Sequence, residues 1–197
     1  MTLKDTLAGR IKSGIIMKNL SILILLVTTI TSGCKNNVDF VQLMKDDFHN
    51  AVLEFPDSLV RLYEVQTRLS HPVSELVSAP GIVASSSYIT IGNKVKLIDR
   101  TYKKGRISKE YEHFEEYDGH NKMVLDEDYP ITIDSIKISF KEAVDILRRS
   151  KCSASDKPYM TIRKTSTSQS NPQYIFSGTT VDVAVNAETG EINIIEQ

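Results

Sequence analysis

Residues 110–120 hold the densest set of ligating side chains in this 197-residue chain: Glu110, Glu112, His113, Glu115, Glu116, Asp118 and His120. Carboxylate oxygens and imidazole nitrogens are donors for Zn²⁺ or Ca²⁺. On a strand, however, Glu112 and His113 face opposite ways, and neither a His-x-x-x-His pair nor a calcium-loop spacing occurs. The expectation is a solvated edge strand whose charges discourage edge-to-edge pairing, with no metal. Cys152 follows Arg148, Arg149 and Lys151; cations lower a thiol pKa, but a cysteine nucleophile also needs a base, and no histidine is near it in sequence. Gly-x-Ser-x-Gly, a phosphate-cradling Gly-x-x-x-x-Gly-Lys loop and a dinucleotide fingerprint are all absent. The residues therefore suggest no catalytic group, no cofactor and no enzyme. Tyr88, Tyr102, Tyr111 and Tyr117 fall in one stretch. They suit an aromatic binding surface for glycan or peptide, or ordinary cross-strand packing.

The remaining reactive residue is Cys34, and its surroundings are distinctive. Lys18 supplies a positive charge, residues 20–30 (LSILILLVTTI) are apolar or small, and Thr31, Ser32 and Gly33 lead into the cysteine. That is the layout of a secretory signal. The run from Asn19 to Gly33 is 15 residues, short of the roughly 20 that a spanning helix needs. The first 16 residues add nothing to such a signal, and Met17-Lys18 is the expected start.

The end of this run, TSGC, resembles the lipobox of bacterial lipoproteins, with Thr31 where the family usually has Leu. The resemblance implies cleavage before Cys34 and diacylglycerol (then palmitate-type acyl) attachment to its sulfur. It also implies a signal peptide over 1–33 and a lipidated tether over 34–38. Buried acyl chains contribute about 0.8 kcal/mol per methylene, so two or three anchor a protein durably. Lys35, rather than Asp, after the cysteine favours the outer over the inner membrane under enterobacterial sorting logic.

Four of the 24 basic and one of the 25 acidic residues precede Cys34, leaving 20 and 24 and a net charge of −4. There is no basic surplus for a phosphate backbone, so nucleic acid is not an expected partner. With Cys34 acylated, Cys152 has no disulfide partner.

The elements follow from periodicity. Val41, Met44, Phe48 and Val52 recur at helical spacing over Asp39–Leu53. Residues 59–69 fit either a short helix from Asp57 or a strand with Leu59, Arg61, Tyr63, Val65, Thr67 and Leu69 on one side, and Tyr63 and Val65 favour the strand. Residues 71–81 form a loop. Strands over 86–91, 94–103 and 106–117 are separated by Gly92-Asn93 and Lys104-Gly105, which suit tight hairpins. An acidic loop over 118–130 follows. Ser139 with Glu142 three residues on makes a capping box before a helix. Strands over 159–164, 173–177, 180–186 and 191–196 complete the chain, and Asp182 among Val181, Val183 and Val185 predicts a wet sheet face.

Residues 138–150 (ISFKEAVDILRRS) and 181–195 (VDVAVNAETGEINII) resemble the PepSY domain, matching at Glu142-Ala143, Asp182 and Thr189-Gly190-Glu191. The resemblance covers about 134–197. Residues 39–130 repeat the order helix, then strands, which leaves open a second, diverged copy. The expected fold is α+β: antiparallel sheets, each with a helix on one face, over an N-terminal unit (39–130) and a PepSY-like unit (131–197). The whole chain is also similar in character to small Bacteroidetes-type lipoproteins. The resemblance implies a protein-binding, regulatory role in the envelope, protease-modulating or chaperone-like, and brings no catalytic residues. A glycan-binding accessory lipoprotein using the four tyrosines is the alternative.

Overall fold

The computed structural model describes residues 39–75, 79–116, 129–150, 155–165 and 171–196. Cys34, Tyr117, Asp118, His120, Cys152 and the predicted signal and tether lie outside these residues. The first helix, α1, spans Phe40–Glu54. Asp39 caps it, its carboxylate accepting from the amides of Val41 and Gln42 at 3.1 and 3.2 Å. Four strands follow: β1 Val60–Leu69, β2 Ile82–Ile91, β3 Lys94–Lys103 and β4 Arg106–Glu116. The second helix, α2, spans Phe140–Arg149 and carries the predicted capping box at Ser139 and Glu142. The backbone and side-chain hydrogen bonds to Ser139 hold the Glu142 carboxyl below its ordinary pKa. Strands β5 Tyr159–Arg163, β6 Gln173–Phe176, β7 Val181–Asn186 and β8 Ile192–Glu196 complete the order.

All eight strands form one antiparallel sheet in the order β4-β3-β2-β1-β5-β6-β7-β8. The fold is α+β as expected, but the strands share a single sheet instead of forming one for each helix. The chain runs twice through a helix and a four-strand meander, and the first strands of the two meanders pair at the centre. Thr67 lies opposite Met160 across that seam and donates its hydroxyl to the Met160 carbonyl at 2.8 Å. Both helices pack on the same sheet face, where Met44, Val65, Ile89, Leu147, Ile162, Tyr174 and Phe176 belong to one core cluster.

Three local expectations change. β2 begins at Ile82, four residues earlier than predicted, because Ile82 and Ala84 pair with Leu69 and Arg68 of β1. β1 does not alternate evenly: Leu62 pairs with Ile89 and Glu64 with Tyr88, leaving Tyr63 as an extra, bulged residue. The bulge turns Leu62 as well as Val65, Thr67 and Leu69 toward the helices. The face away from the helices is wet only in part. Over β1–β4 it exposes Gln66, Arg68, Tyr111 and His113, but over β6–β7 Gln173, Ile175 and Ala184 are buried.

The glycine turns serve the hairpins as predicted. Gly92 and Gly105 have positive φ, as does Lys104 in the β3–β4 turn.

Candidate binding surface

The β strands place the predicted site residues on two different sides. On the helix side of β3, Lys96, Ile98 and Arg100 alternate inward, and Arg100 makes a buried two-bond pair with Asp47 of α1 at 2.5 and 2.7 Å. Glu110 of β4 pairs with the same guanidinium. Lys96 bridges Glu54 of α1 at 2.8 Å and Glu112 of β4 at 3.0 Å, and its ammonium lies 5.8 Å from the Phe114 ring centre. Burial lifts the Asp47 carboxyl above its ordinary pKa despite Arg100, with Glu110 and Glu112 adding to the rise. Burial works against the Arg100 charge, but its two carboxylate partners outweigh that and raise its pKa. Two of the predicted ligating carboxylates are thus occupied with cations. Glu112 and His113 face opposite ways, as strand geometry requires, and His113 sits beside Glu115 at 3.5 Å on the other side. Among the described residues, no group of three His, Cys, Asp or Glu is arranged to hold a metal ion.

The tyrosines do not converge on one surface. Tyr102 points to the helix side, its hydroxyl 2.9 Å from Ser85 Oγ. Tyr88 and Tyr111 point away from the helices, in line with Glu64 and Asp99 respectively. Tyr111 is 64% exposed. Burial pushes the Tyr88 phenol up, and the negative charges of Glu64, Asp99 and Glu115 add to the rise. Tyr117 is outside the described residues. Tyr159 of β5, which lies opposite Arg68, is half exposed on the same outer face. The tyrosine pattern in 88–117 had no way of including it, since it joins the surface only through the β1–β5 seam.

The sequence also gave no sign of a cavity of about 570 Å³ at the end of the molecule where both helices begin. Phe40 and Phe140, the first residues of α1 and α2, meet edge to face beside it with ring centres 6.4 Å apart. Pro80, Ile82, Tyr102 and Val144 continue an apolar lining, and Lys141 and the turn residue Gly105 stand at its edge.

No family model matches the chain, and no curated protein matches it. Among solved structures, the fold is similar to the crystal structure of a lipoprotein candidate from Clostridium difficile 630, over 78% of this chain and 91% of that one. The TM-score is 0.46 and the identity 8%. A likeness at that level defines neither a family nor an activity.

Proposed function

We propose that this chain is a lipid-anchored, extracytoplasmic, non-enzymatic module that binds a protein partner in the bacterial envelope. The anchor is the acylated sulfur of Cys34, and Lys35 favours the outer membrane. The folded body is PepSY-like over 131–197, and the repeated helix-plus-meander order supports a related unit before it. The observation that carries the binding role is the one-sided placement of the helices. It leaves the outer face of β1–β4 accessible, with Gln66 and Arg68 on β1 and Tyr111 and His113 on β4, separated by the width of β2 and β3. An aromatic and an arginine on a rigid, solvated sheet suit an energetically dominant contact with another protein. The long exposed edge β4 offers main-chain groups beside it.

Two experiments test the two parts. Intact-mass measurement of the membrane-extracted protein reads the anchor: an amino-terminal Cys34 carrying acyl mass supports it, and an uncleaved, unmodified terminus removes it. For the partner, a photocrosslinking residue is placed at Tyr111 or Arg68 on the outer face, or at Leu53 on the exposed end of α1, and crosslinked in cells. One defined adduct from positions 68 and 111, absent from 53, supports the binding face. No adduct at 68 or 111 removes it. A glycan array with the same protein covers the alternative, and binding lost with Tyr111→Ala would replace a protein partner by a glycan.

A further inference from the structure

The end of the sheet bearing the cavity differs in charge from the rest of the chain. Gly105, at the cavity edge, belongs to the β3–β4 turn 102–106, Tyr-Lys-Lys-Gly-Arg. Lys103, Lys104 and Arg106 are exposed there, and so is Lys141 in the first turn of α2. None of these four is in an ion pair with another described residue. The acidic groups on or next to the lining are Asp39, which caps α1, Glu142, which is held by Ser139, and Asp145, one helical turn after Lys141. A chain with a net charge of −4 after Cys34 thus gathers four cations around an apolar cavity.

Asp39 lines the cavity and stands five residues after Cys34. Five extended residues reach at most about 17 Å, so an acylated Cys34 holds the cavity within that distance of a bilayer surface.

We infer that this end of the molecule is a membrane-docking site, in which the apolar cavity takes one acyl chain of an anionic phospholipid and Lys103, Lys104, Arg106 and Lys141 meet its headgroup. Phe40, Phe140, Ile82 and Val144 supply the apolar walls for the chain. The basic rim matches the negative surface, where each lysine or arginine strengthens binding by about fivefold. The arrangement leaves the outer face of β1–β4 free for a partner. Its placement against the bilayer rests on the lipid anchor, and the test therefore uses protein without the anchor.

Every described element and the whole core lie within the compact unit Asn37–Gln197, so residues 35–197 carry the complete fold. This unlipidated protein, its fold checked by circular dichroism, is floated with vesicles of phosphatidylcholine alone or mixed with phosphatidylglycerol. Binding is expected only to the mixed vesicles, and Lys103→Glu, Lys104→Glu and Lys141→Glu together weaken it at least a hundredfold. The chain contains no tryptophan, so Gly81→Trp gives a single fluorophore at the cavity wall. A Cβ at Gly81 meets nothing within 4 Å. With acyl-brominated lipid in the mixed vesicles, its emission is expected to shift to the blue and be quenched. Ala79→Trp, at an exposed position on the same wall, is the second reporter if Gly81→Trp misfolds. Absence of vesicle binding, binding indifferent to the lysine reversals, or binding without quenching overturns the proposal. An unmodified Cys34 in the cellular protein would remove the anchor and leave this result standing.

Discussion

Phe40 and Phe140 open their helices exactly one hundred positions apart and meet edge to face, with ring planes at 70°. The contact joins the two helix starts directly, on the face where the two meanders share their core. Edge-to-face pairs contribute about 0.5–1.5 kcal/mol beyond their buried area. A double-mutant cycle on Phe40→Ala and Phe140→Ala, read by urea unfolding, is expected to return a coupling of that size. Phe40→Ala, the more buried of the two, should cost about 3–5 kcal/mol alone. Strict additivity would show that the two helix starts are energetically separate.

Asp47 and Arg100 make an unequal pair. Arg100 has a second carboxylate in Glu110, whereas among the described residues Asp47 otherwise has only a 3.5 Å bond from Ser87. Arg100→Met strands a buried carboxylate and should cost about 3–5 kcal/mol. Asp47→Leu should cost less, because Glu110 still faces the guanidinium. Replacing both together should cost less than Arg100→Met alone. Chemical denaturation of the three variants checks the order, and a larger loss from Asp47→Leu would reverse it.

Glu64 gives a pH-dependent effect. Its carboxyl is buried on the outer face, accepts from the Gln66 amide at 2.6 Å and lies near Arg163. Burial outweighs both and raises its pKa above the ordinary 4.5. A carboxyl with a raised folded pKa holds its proton more tightly in the fold. Its ionised form therefore costs stability at neutral pH, and that cost fades as the pH falls through the folded pKa toward 4.5. Glu64→Gln should raise the melting temperature at pH 7 and make little difference near pH 4. Thermal melts across that range check it, and a lower melting temperature at pH 7 would mean that Gln66 and Arg163 dominate.

Gly190 closes the β7–β8 turn with φ +79°. Asn186 braces the turn by accepting from the amides of Glu188 and Thr189 at 2.9 and 3.0 Å. A Cβ on Gly190 would come within 3.0 Å of Ile146 Cδ1 and 3.1 Å of Ile138 Cδ1. Those methyl tips can give, so the backbone dominates, and Gly190→Ala should cost about 1–2 kcal/mol. Equal unfolding midpoints for the variant and the parent would contradict this.

What could be read from the sequence was local. The capping box needs only Ser139 and Glu142 three residues apart, and the hairpin turns need only a glycine that accepts positive φ. The α1 stripe was legible only in its first half: Val41 and Met44 are buried as expected, but the buried face continues through Asp47 and Ala51, leaving Phe48 half-buried and Val52 exposed. The buried side of Asp47 is set by the pair with Arg100, 53 residues away, which no local pattern shows. The bulge at Tyr63 depends on the register with β2, so alternation within β1 alone misassigned its faces. The cavity lining comes from α1, α2, β2, the β3–β4 hairpin and the segment before β2, and no single stretch of sequence announces it. The tyrosines failed as a group for a related reason: a two-residue period decides their side, and Tyr102 falls out of phase with Tyr88 and Tyr111.

The central β1–β5 seam has a consequence for the order of assembly. The ladders within each meander join neighbouring strands in sequence, but the seam brings together residues such as Thr67 and Met160, 93 positions apart. Non-local pairings of this kind slow folding. In a chain delivered amino terminus first, β1 therefore waits with one edge unsatisfied until the second meander emerges. That interval is when the nascent protein is most open to pairing with the wrong strand.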